Sequence, residues 1–159
     1  MKNSGRSTPR VISFHRSILQ KIAVTDQCII GEGAEIYGEV YHSVIGPNVV
    51  IGKGTVVRDS IIMRNTVIGE DSVLDKAIVA ENVTVGNHVT LGCGEEAENV
   101  LKPAVYAFGL ATVGEQSVIP DNVKIGRNTA ISGVTATEDY PGGILESGQI
   151  IKAKDGEQA

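Results

Sequence analysis

The sequence lacks tryptophan, and aromatic residues make up only 4% of its 159 residues. A buried core must therefore be built from Val, Ile, Leu and Ala, which favours stacked layers of similar composition over an irregular globule. Cys28 and Cys93 form no CxxC motif, so we expect reduced thiols in a cytoplasmic protein rather than a disulfide. No apolar run approaches the roughly 20 residues that span a bilayer. The polar start has no signal-peptide core, and we expect no membrane partner.

Positive charge is also sparse. Lys and Arg together number 14 against 19 acidic residues, which gives a formal net charge of −5. No stretch concentrates basic residues into the footprint that nucleic-acid binding requires, so we expect no nucleic-acid partner. The length of 159 residues is enough for one domain with its own core.

What the sequence does contain is a 17-residue repeat, because residues 43–59, 60–76 and 77–93 align without gaps. Aliphatic residues fall into three columns, spaced six residues apart within each segment. The columns are Ile45, Ile62, Val79; Ile51, Ile68, Val85; and Val57, Leu74, Leu91. Such near-hexads predict a coil with three flat faces. We therefore predict an all-β fold, a left-handed parallel β-helix of about six or seven coils built from hexapeptide repeats. The left hand is taken from the known behaviour of triangular hexapeptide helices.

The residues that follow each column support this prediction. Three positions after the column aliphatics stand Asn48, Gly54, Asn65, Asp71, Asn82, His88, Asn122 and Asn128. Asn, Asp, Gly and His are the residue types that tolerate a positive φ. A tight corner between two flat faces needs such a residue, so each hexad is interpreted as a short strand followed by a corner.

The repeat also divides the chain. Residues 1–21 are predicted to be a lead, a linker or an irregular first coil, and residues 22–131 to be the β-helix. The hexads stop between residues 93 and 112, where we predict a loop excursion, and they resume at Val113. The turn-rich residues 132–159 are predicted to form a C-terminal cap and tail, because an open β-helix end would expose strand edges.

Several sequence segments within the coils resemble those of a known family. The segments SVIG (43–46), VVRDSIIM (56–63) and DKAIVAENVTVG (75–86), with residues 111–131 in the same style, are similar to the C-terminal β-helix domain of glucose-1-phosphate adenylyltransferase (ADP-glucose pyrophosphorylase). The resemblance covers about residues 22–150. It implies a place in glycogen or glucan synthesis, where the full-length enzymes make ADP-glucose and pyrophosphate from ATP and glucose 1-phosphate with Mg²⁺.

The part of the family that does this chemistry has no counterpart here. The family's nucleotidyltransferase domain carries a GGxGTRL-type loop, whereas the Gly-x-Gly motifs of this chain are repeat corners. The resemblance therefore implies a non-catalytic domain that assembles subunits and helps to form an allosteric effector site. We expect no catalytic, cofactor-binding or metal-binding residue, and Mg²⁺ only with the absent N-terminal domain. The expected partners are that domain and further copies of the chain, which would form a homo-oligomer through β-helix faces.

Stacked coils also predict surface ion pairs. Arg58 falls level with Asp75, and Asp59 with Lys76, so each pair is expected to bridge two coils. Arg58, Arg64 and Lys76 are in addition candidates for binding an anionic effector.

An alternative function is that of a small trimeric acyltransferase, in which a histidine acts as general base. The candidates are His15, His42 and His88, although the latter two fall at a coil end and a corner. A zinc site would need about three converging imidazoles, and a Cys93–His88 pair would lack an orienting third group. The acidic residues Glu95, Glu96 and Glu98 are interpreted as a solvated loop face.

Overall fold

The computed structural model describes residues 11–13, 18–19 and 23–153, and in this part of the chain nearly all regular structure is short β-strand. The strands are β1 (Val11–Ser13), β2 (Ile18–Leu19), β3 (Val24–Asp26), β4 (Cys28–Ile30), β5 (Glu35–Ile36), β6 (Glu39–Tyr41), β7 (Val44–Ile45), β8 (Val50–Ile51), β9 (Val56–Arg58), β10 (Ile61–Ile62), β11 (Val67–Ile68), β12 (Val73–Asp75), β13 (Ala77–Val79), β14 (Thr84–Val85), β15 (Thr90–Cys93), β16 (Ala111–Val113), β17 (Val118–Ile119), β18 (Lys124–Gly126), β19 (Thr129–Ser132), β20 (Ile144–Leu145) and β21 (Ile150–Lys152). Two 3₁₀ turns, Thr137–Asp139 and Pro141–Gly143, precede β20.

The strands form three parallel sheets that the chain visits in turn. Sheet A has the order β1-β4-β7-β10-β13-β16-β19-β21, sheet B has β2-β5-β8-β11-β14-β17, and sheet C has β3-β6-β9-β12-β15-β18-β20. Each of the first six coils contributes one strand to each sheet, which is the arrangement of a parallel β-helix. The predicted fold class, a left-handed β-helix of hexapeptide repeats, is confirmed.

The helix has about eight turns, more than the six or seven that the hexad pattern predicts. The additional strands lie at the two ends, where the hexads are weakest. β1 and β2 pair with β4 and β5, and β20 and β21 pair with β18 and β19. At the C-terminal end the inward aliphatic columns continue as well, because Leu145 pairs with Ile125 and Ile151 with Ile131.

The register of the sheets equals the sequence repeat. Ile61 pairs with Val44 on one side and with Ile78 on the other, in steps of 17 residues. Successive side chains of a strand point to opposite faces, so the aliphatic columns all point inward. The residues of the predicted columns are each at most 1% exposed. Burial of such a side chain contributes about 1.5–3 kcal/mol each, and this core is what holds the coils together.

The predicted corners are confirmed at the asparagines. Asn48, Asn65 and Asn82 have φ of 57°, 57° and 58°. Their side chains also form a ladder across the coils, because the Nδ2 of Asn48 donates to the Oδ1 of Asn65 and the Nδ2 of Asn65 to that of Asn82, each at 3.3 Å. One residue type thus serves both the left-handed backbone and the coil-to-coil contact.

Buried hydroxyls form a second set of ladders at the start of the strands. The Oγ of Ser60 accepts a hydrogen bond from the backbone N–H of Ala77 at 3.0 Å and donates to the carbonyl of Arg58 at 2.6 Å. Ser43 accepts in the same way from the N–H of Ser60, and Thr55 from that of Ser72. These hydroxyls satisfy interior N–H groups that corners would otherwise leave without a partner.

The C-terminal end is closed by a tyrosine rather than by a further strand of sheet B. Tyr140 is 1% exposed and packs within the core cluster. Its hydroxyl shares a hydrogen bond of 2.8 Å with the Oγ1 of Thr135, which itself donates to the carbonyl of Val118. Burial raises the pKa of the Tyr140 phenol above its ordinary value, and the charge of Asp139 adds to the rise. In the described residues no helix has the length and apolar character to cross a membrane.

Candidate assembly surface and effector residues

The outer face of sheet A carries a continuous line of aliphatic side chains. Ile29, Val44, Ile61 and Ile78 are the outward residues of β4, β7, β10 and β13, and they stand in register. The first three are between 41% and 49% exposed. They are referred to below as the aliphatic column of sheet A, which is exposed and distinct from the buried aliphatic columns of the core. Adjacent coils lie about 4.8 Å apart, so the column is about 14 Å long.

The other two faces are less apolar at the same coils. The outward residues of sheet B are Glu35, Val50, Val67 and Thr84, and those of sheet C are Glu39, Val56, Val73 and Thr90. Each of these faces has only two consecutive aliphatic residues, with a carboxylate at one end. Sheet A is therefore the face on which water contacts an unbroken hydrocarbon surface.

The aliphatic column of sheet A ends where the predicted excursion begins. The excursion, residues 94–110 between β15 and β16, crosses the outer face of sheet A at its later coils. Tyr106 lines a small cavity of about 90 Å³ together with Thr112, Ala130 and Ile150, which continue the outward line of that sheet. At the start of the excursion Gly92 has φ +84°, and a Cβ there would collide with the carbonyl oxygen of Asp75. Only glycine fits this departure from the coil.

Two asparagines fix the backbone of the excursion. The amide of Asn99, a buried residue, donates to the carbonyl of Asn128 at 2.8 Å and accepts from the N–H groups of Leu101 and Lys102 at 3.0 and 2.9 Å. Asn128 in turn donates to the carbonyl of Ala97 and accepts from the N–H of Gly109. The excursion is thus tied to the coil at both of its stems.

An ion pair holds the first stem. Arg127 donates through Nε to the carbonyl of Gly94 at 3.0 Å, and its guanidinium lies 3.4 Å from the carboxylate of Asp75. Both side chains are largely covered, at 21% and 30% exposure. Beside this stem, Cys93, Glu95, Glu96 and Glu146 line an open cleft of about 430 Å³.

The two predicted cross-coil ion pairs are wrong. Arg58 is in backbone register with Asp75, but the Asp75 carboxylate pairs with Arg127 instead. The Asp59 carboxylate lies 3.5 Å from the Nδ1 of His42, a residue of the preceding coil, rather than against Lys76. Ion pairs of long side chains near the surface differ little in energy from one available partner to another, so backbone register alone does not determine the pairing.

The three effector candidates do not lie together. Arg58 ends β9, and Lys76, with φ 51°, occupies the corner after β12, so both are at the edge where sheet C meets sheet A. Arg64 lies beyond β10 at the opposite edge of sheet A, where its Nε is 3.3 Å from Glu81. Five residues lie between Arg58 and Arg64, and one of them, Asp59, is a corner with φ 47°, so the two Cα atoms are at most about 20 Å apart. The structure thus brings together two of the three candidates.

The histidines considered as bases are at corners. His42 and His88 have φ of 46° and 54°, and both are exposed. His15 lies outside the described residues. Within the described residues no three His, Cys, Asp or Glu side chains are arranged to hold a metal ion.

Two half-buried tyrosines have raised pKa values. The hydroxyl of Tyr37 donates to Glu35 at 2.7 Å, and this bond raises the pKa of the phenol. Partial burial, followed by the bond that its hydroxyl donates to Glu39, raises the pKa of Tyr41. Together with the corner histidines, these residues show no nucleophile paired with a base. What the geometry offers most clearly is a flat apolar face with a rigid excursion at one end.

Known proteins resemble this chain in sequence over most of its length. The family model described as GlmU-like, C-terminal hexapeptide matches residues 12–101. Glucose-1-phosphate adenylyltransferase from Lachnospira eligens is 65% identical over 138 residues, which are 86% of this chain and 33% of that protein. The enzyme of the same name from Thermotoga maritima is 56% identical over 80% of this chain and 30% of its own length. That from Acetivibrio thermocellus is 41% identical over 77% and 29%.

The chain thus spans about a third of the length of the relatives it matches. Among solved structures, a hexapeptide transferase family protein from Anaplasma phagocytophilum is 17% identical over 84% of this chain and 72% of that one, with a TM-score of 0.48; no argument rests on this likeness. The sequence resemblance described above is confirmed by the relatives. The chain belongs to the GlmU-like, C-terminal hexapeptide family, and the part of glucose-1-phosphate adenylyltransferases that it matches is the C-terminal one.

Proposed function

We propose that this chain is the non-catalytic assembly and regulatory domain of a nucleotidyltransferase of the ADP-glucose pyrophosphorylase kind. Such an enzyme makes ADP-glucose and pyrophosphate from ATP and glucose 1-phosphate in glycogen synthesis. The names of the relatives and the position of the matched segment in them support this role. We assign nucleotidyl transfer, and the Mg²⁺ it requires, to the domain that this chain does not match.

The aliphatic column of sheet A is the observation that carries the assembly role. A line of half-exposed Ile and Val side chains on a flat sheet is unfavourable in water at about 25 cal/mol per Å² of apolar surface. Contiguous apolar patches on soluble proteins commonly mark interaction sites. Packing of this face against another copy of the chain removes the exposed surface, so the column is proposed as the self-association surface of a homo-oligomer.

A matched pair of substitutions tests this assignment. Ile61 and Val67 belong to the same coil. Each is the outward residue of a two-residue strand, and they are 42% and 43% exposed. Ile61→Lys places a charge on the sheet A face, and Val67→Lys places one on sheet B. Sedimentation velocity over a concentration series is expected to show an oligomer for the wild type and for Val67→Lys, and a shift towards monomer for Ile61→Lys.

Three results would contradict the assignment. A wild-type chain that stays monomeric at the highest concentration would remove the assembly role. Equal dissociation of both lysine variants, or of neither, would remove the sheet A face as its surface. Circular dichroism of both variants controls for folding, since each substitution leaves the inward column residue of its strand unchanged.

An anionic effector remains part of the proposal at the corner where sheets C and A meet. Arg58 and Lys76 present two cations there, and both are exposed. Arg64 is proposed only as a separate contact, because Glu81 already neutralises it and it lies at the far edge of the sheet. The acyltransferase alternative is not favoured, because the matched relatives are named as nucleotidyltransferases and His42 and His88 serve as corners.

A further inference from the structure

The small cavity beside Tyr106 has a floor made of outward residues from the last three strands of sheet A. Ile131 and Ile151 point into the core, so the residues on either side of each point outward. The outward residues that line the cavity are Thr112, Ala130 and Ile150 in one row, and Gly114, Ser132 and Lys152 in the next. The cavity is referred to below as the Tyr106 cavity.

Glycine in the second row helps to keep the cavity open. A Cβ on Gly114 would lie 3.3 Å from the Cβ of Ser132, so a side chain there would occupy space beside the serine. The cavity volume is about 90 Å³. Since a water molecule takes about 30 Å³ in the liquid, this volume suits a ligand of roughly three to six non-hydrogen atoms.

The polar side chains around the cavity have no partner in the part of the chain that the structure describes. Residues 11–13, 18–19 and 23–153 supply no hydrogen bond or ion pair to the side chains of Tyr106, Thr112, Ser132 and Lys152. The first two are half-buried and the other two are exposed. Four groups able to donate hydrogen bonds therefore surround one small space, and a ligand can take the place of the water that would solvate them.

Tyr106 differs in this respect from the other three tyrosines of the chain. The hydroxyls of Tyr37, Tyr41 and Tyr140 are each hydrogen-bonded to a side chain, at 2.7, 3.1 and 2.8 Å. The backbone of Tyr106 is nevertheless fixed, because its N–H donates to the carbonyl of Lys102 at 3.0 Å. A phenol on a fixed backbone loses little conformational entropy when it binds a ligand.

The composition of the lining favours an anion with a hydrocarbon part. Lys152 is the only charged residue among those that line the cavity. An ammonium group has donors and no acceptor, and hydroxyls can also donate, so these groups suit a carboxylate. A hydrogen bond between two charged groups is stronger than one between neutral groups. Ala130 and Ile150 offer apolar surface to the rest of such a ligand.

We propose that the Tyr106 cavity binds a small carboxylate of about two to four carbon atoms. Lys152 and the hydroxyls of Ser132 and Tyr106 hold the carboxylate group, and the hydrocarbon part packs on Ile150. The site is separate from the corner of Arg58 and Lys76. Lys152 ends β21, which lies three strands beyond β13 in sheet A, whereas Lys76 directly precedes β13. The inference goes beyond the proposed assembly role and does not depend on it.

Equilibrium dialysis of the 159-residue chain against radiolabelled propionate tests the proposal. We expect saturable binding at one site per chain, with a dissociation constant on the order of 1 mM, because so small a ligand makes few contacts. Unlabelled propionamide has the same shape without the charge, and inorganic phosphate has charge without hydrocarbon. Each is expected to compete at least tenfold more weakly than unlabelled propionate.

Two lysine substitutions locate the site. Lys152→Met removes the ammonium group and keeps an unbranched apolar stem. Lys124→Met is the matched control, because Lys124 is exposed at the start of β18 on the outer face of sheet C. The dissociation constant for propionate is expected to rise at least tenfold for Lys152→Met and to stay within about twofold for Lys124→Met. Tyr106→Phe loses one donor and is expected to raise it about threefold or more.

Several outcomes would overturn the proposal. They include an absence of saturable binding, equal affinity in the wild type and Lys152→Met, and equal losses in the two lysine variants. If Lys152→Met fails to fold, wild-type affinity in Tyr106→Phe has the same force. Propionamide or phosphate that competes as well as propionate would overturn the carboxylate assignment. None of these results bears on assembly through sheet A, which sedimentation of the Ile61→Lys variant tests separately.

Discussion

At the scale of single residues, the sequence predicted the corners and missed the hydroxyl ladders. Asn65 was predictable because few residue types accept a positive φ, so its identity alone points to a corner. Ser60 and Thr55 recur with the same 17-residue period, and that period was the available signal. Their role was not predictable, because a small polar residue in a tight interior has two explanations, size and hydrogen bonding. Only the 3.0 Å distance to the N–H of the next coil distinguishes them.

The ladder makes Ser60→Ala costly. The substitution leaves the interior N–H of Ala77 without an acceptor, and a buried donor that loses its partner costs about 1–3 kcal/mol. We therefore expect the free energy of unfolding in urea to fall by about that amount. Ser132→Ala is the control, because Ser132 is exposed at the end of β19 and its hydroxyl has no hydrogen-bond partner within the described residues. Equal losses for the two variants would mean that the Ser60 hydroxyl acts only as a space-filler.

At the scale of elements, the excursion was predictable and its anchors were not. The hexads stop near residue 93 and resume at Val113, which predicts a departure from the coil. Asn128 was predicted only as a corner, and its φ of 54° confirms that. It also clamps Ala97 and Gly109, residues 31 and 19 positions away. Contacts across such separations leave no periodic trace in a sequence, and neither did the choice of Arg127 over Arg58 as the partner of Asp75.

The C-terminal cap gives the chain a specific alkaline sensitivity. The pKa of Tyr140 is raised above its ordinary value of 10.0, first by burial. Above that pH the unfolded chain loses the phenolic proton while the folded chain keeps it, so stability falls as pH rises. Tyr140→Phe removes this group. We expect the variant to lose less stability than the wild type between about pH 9 and pH 11 in urea titrations, although at neutral pH it lacks the bond to Thr135.

The same substitution at Tyr106 controls for the loss of one phenol outside the cap. Tyr37 and Tyr41 remain in every variant and contribute the same background. Parallel pH profiles for Tyr140→Phe and the wild type would show that the cap phenol does not control the alkaline limit.

At the scale of the whole molecule, the β-helix is a stack in which each coil contacts only its neighbours. Stability of such a protein is approximately a sum over coils and their interfaces. The gapless 17-residue repeat made this architecture predictable, because identical columns can only stack in register. The number of turns was underestimated because residues 132–143 interrupt the hexads, although Leu145 and Ile151 beyond them pair with Ile125 and Ile131 and extend their columns.

Removal of one whole coil should therefore leave a folded protein. Deletion of residues 43–59 joins His42 to Ser60 and places β10, β11 and β12 against β4, β5 and β6 with every column in its place. The Asp75–Arg127 pair and the excursion are untouched. We expect cooperative unfolding in urea with an m-value lower by about an eighth, because m scales with the surface that unfolding exposes. If the deletion variant does not unfold cooperatively, the coils are not the independent units that the repeat indicates.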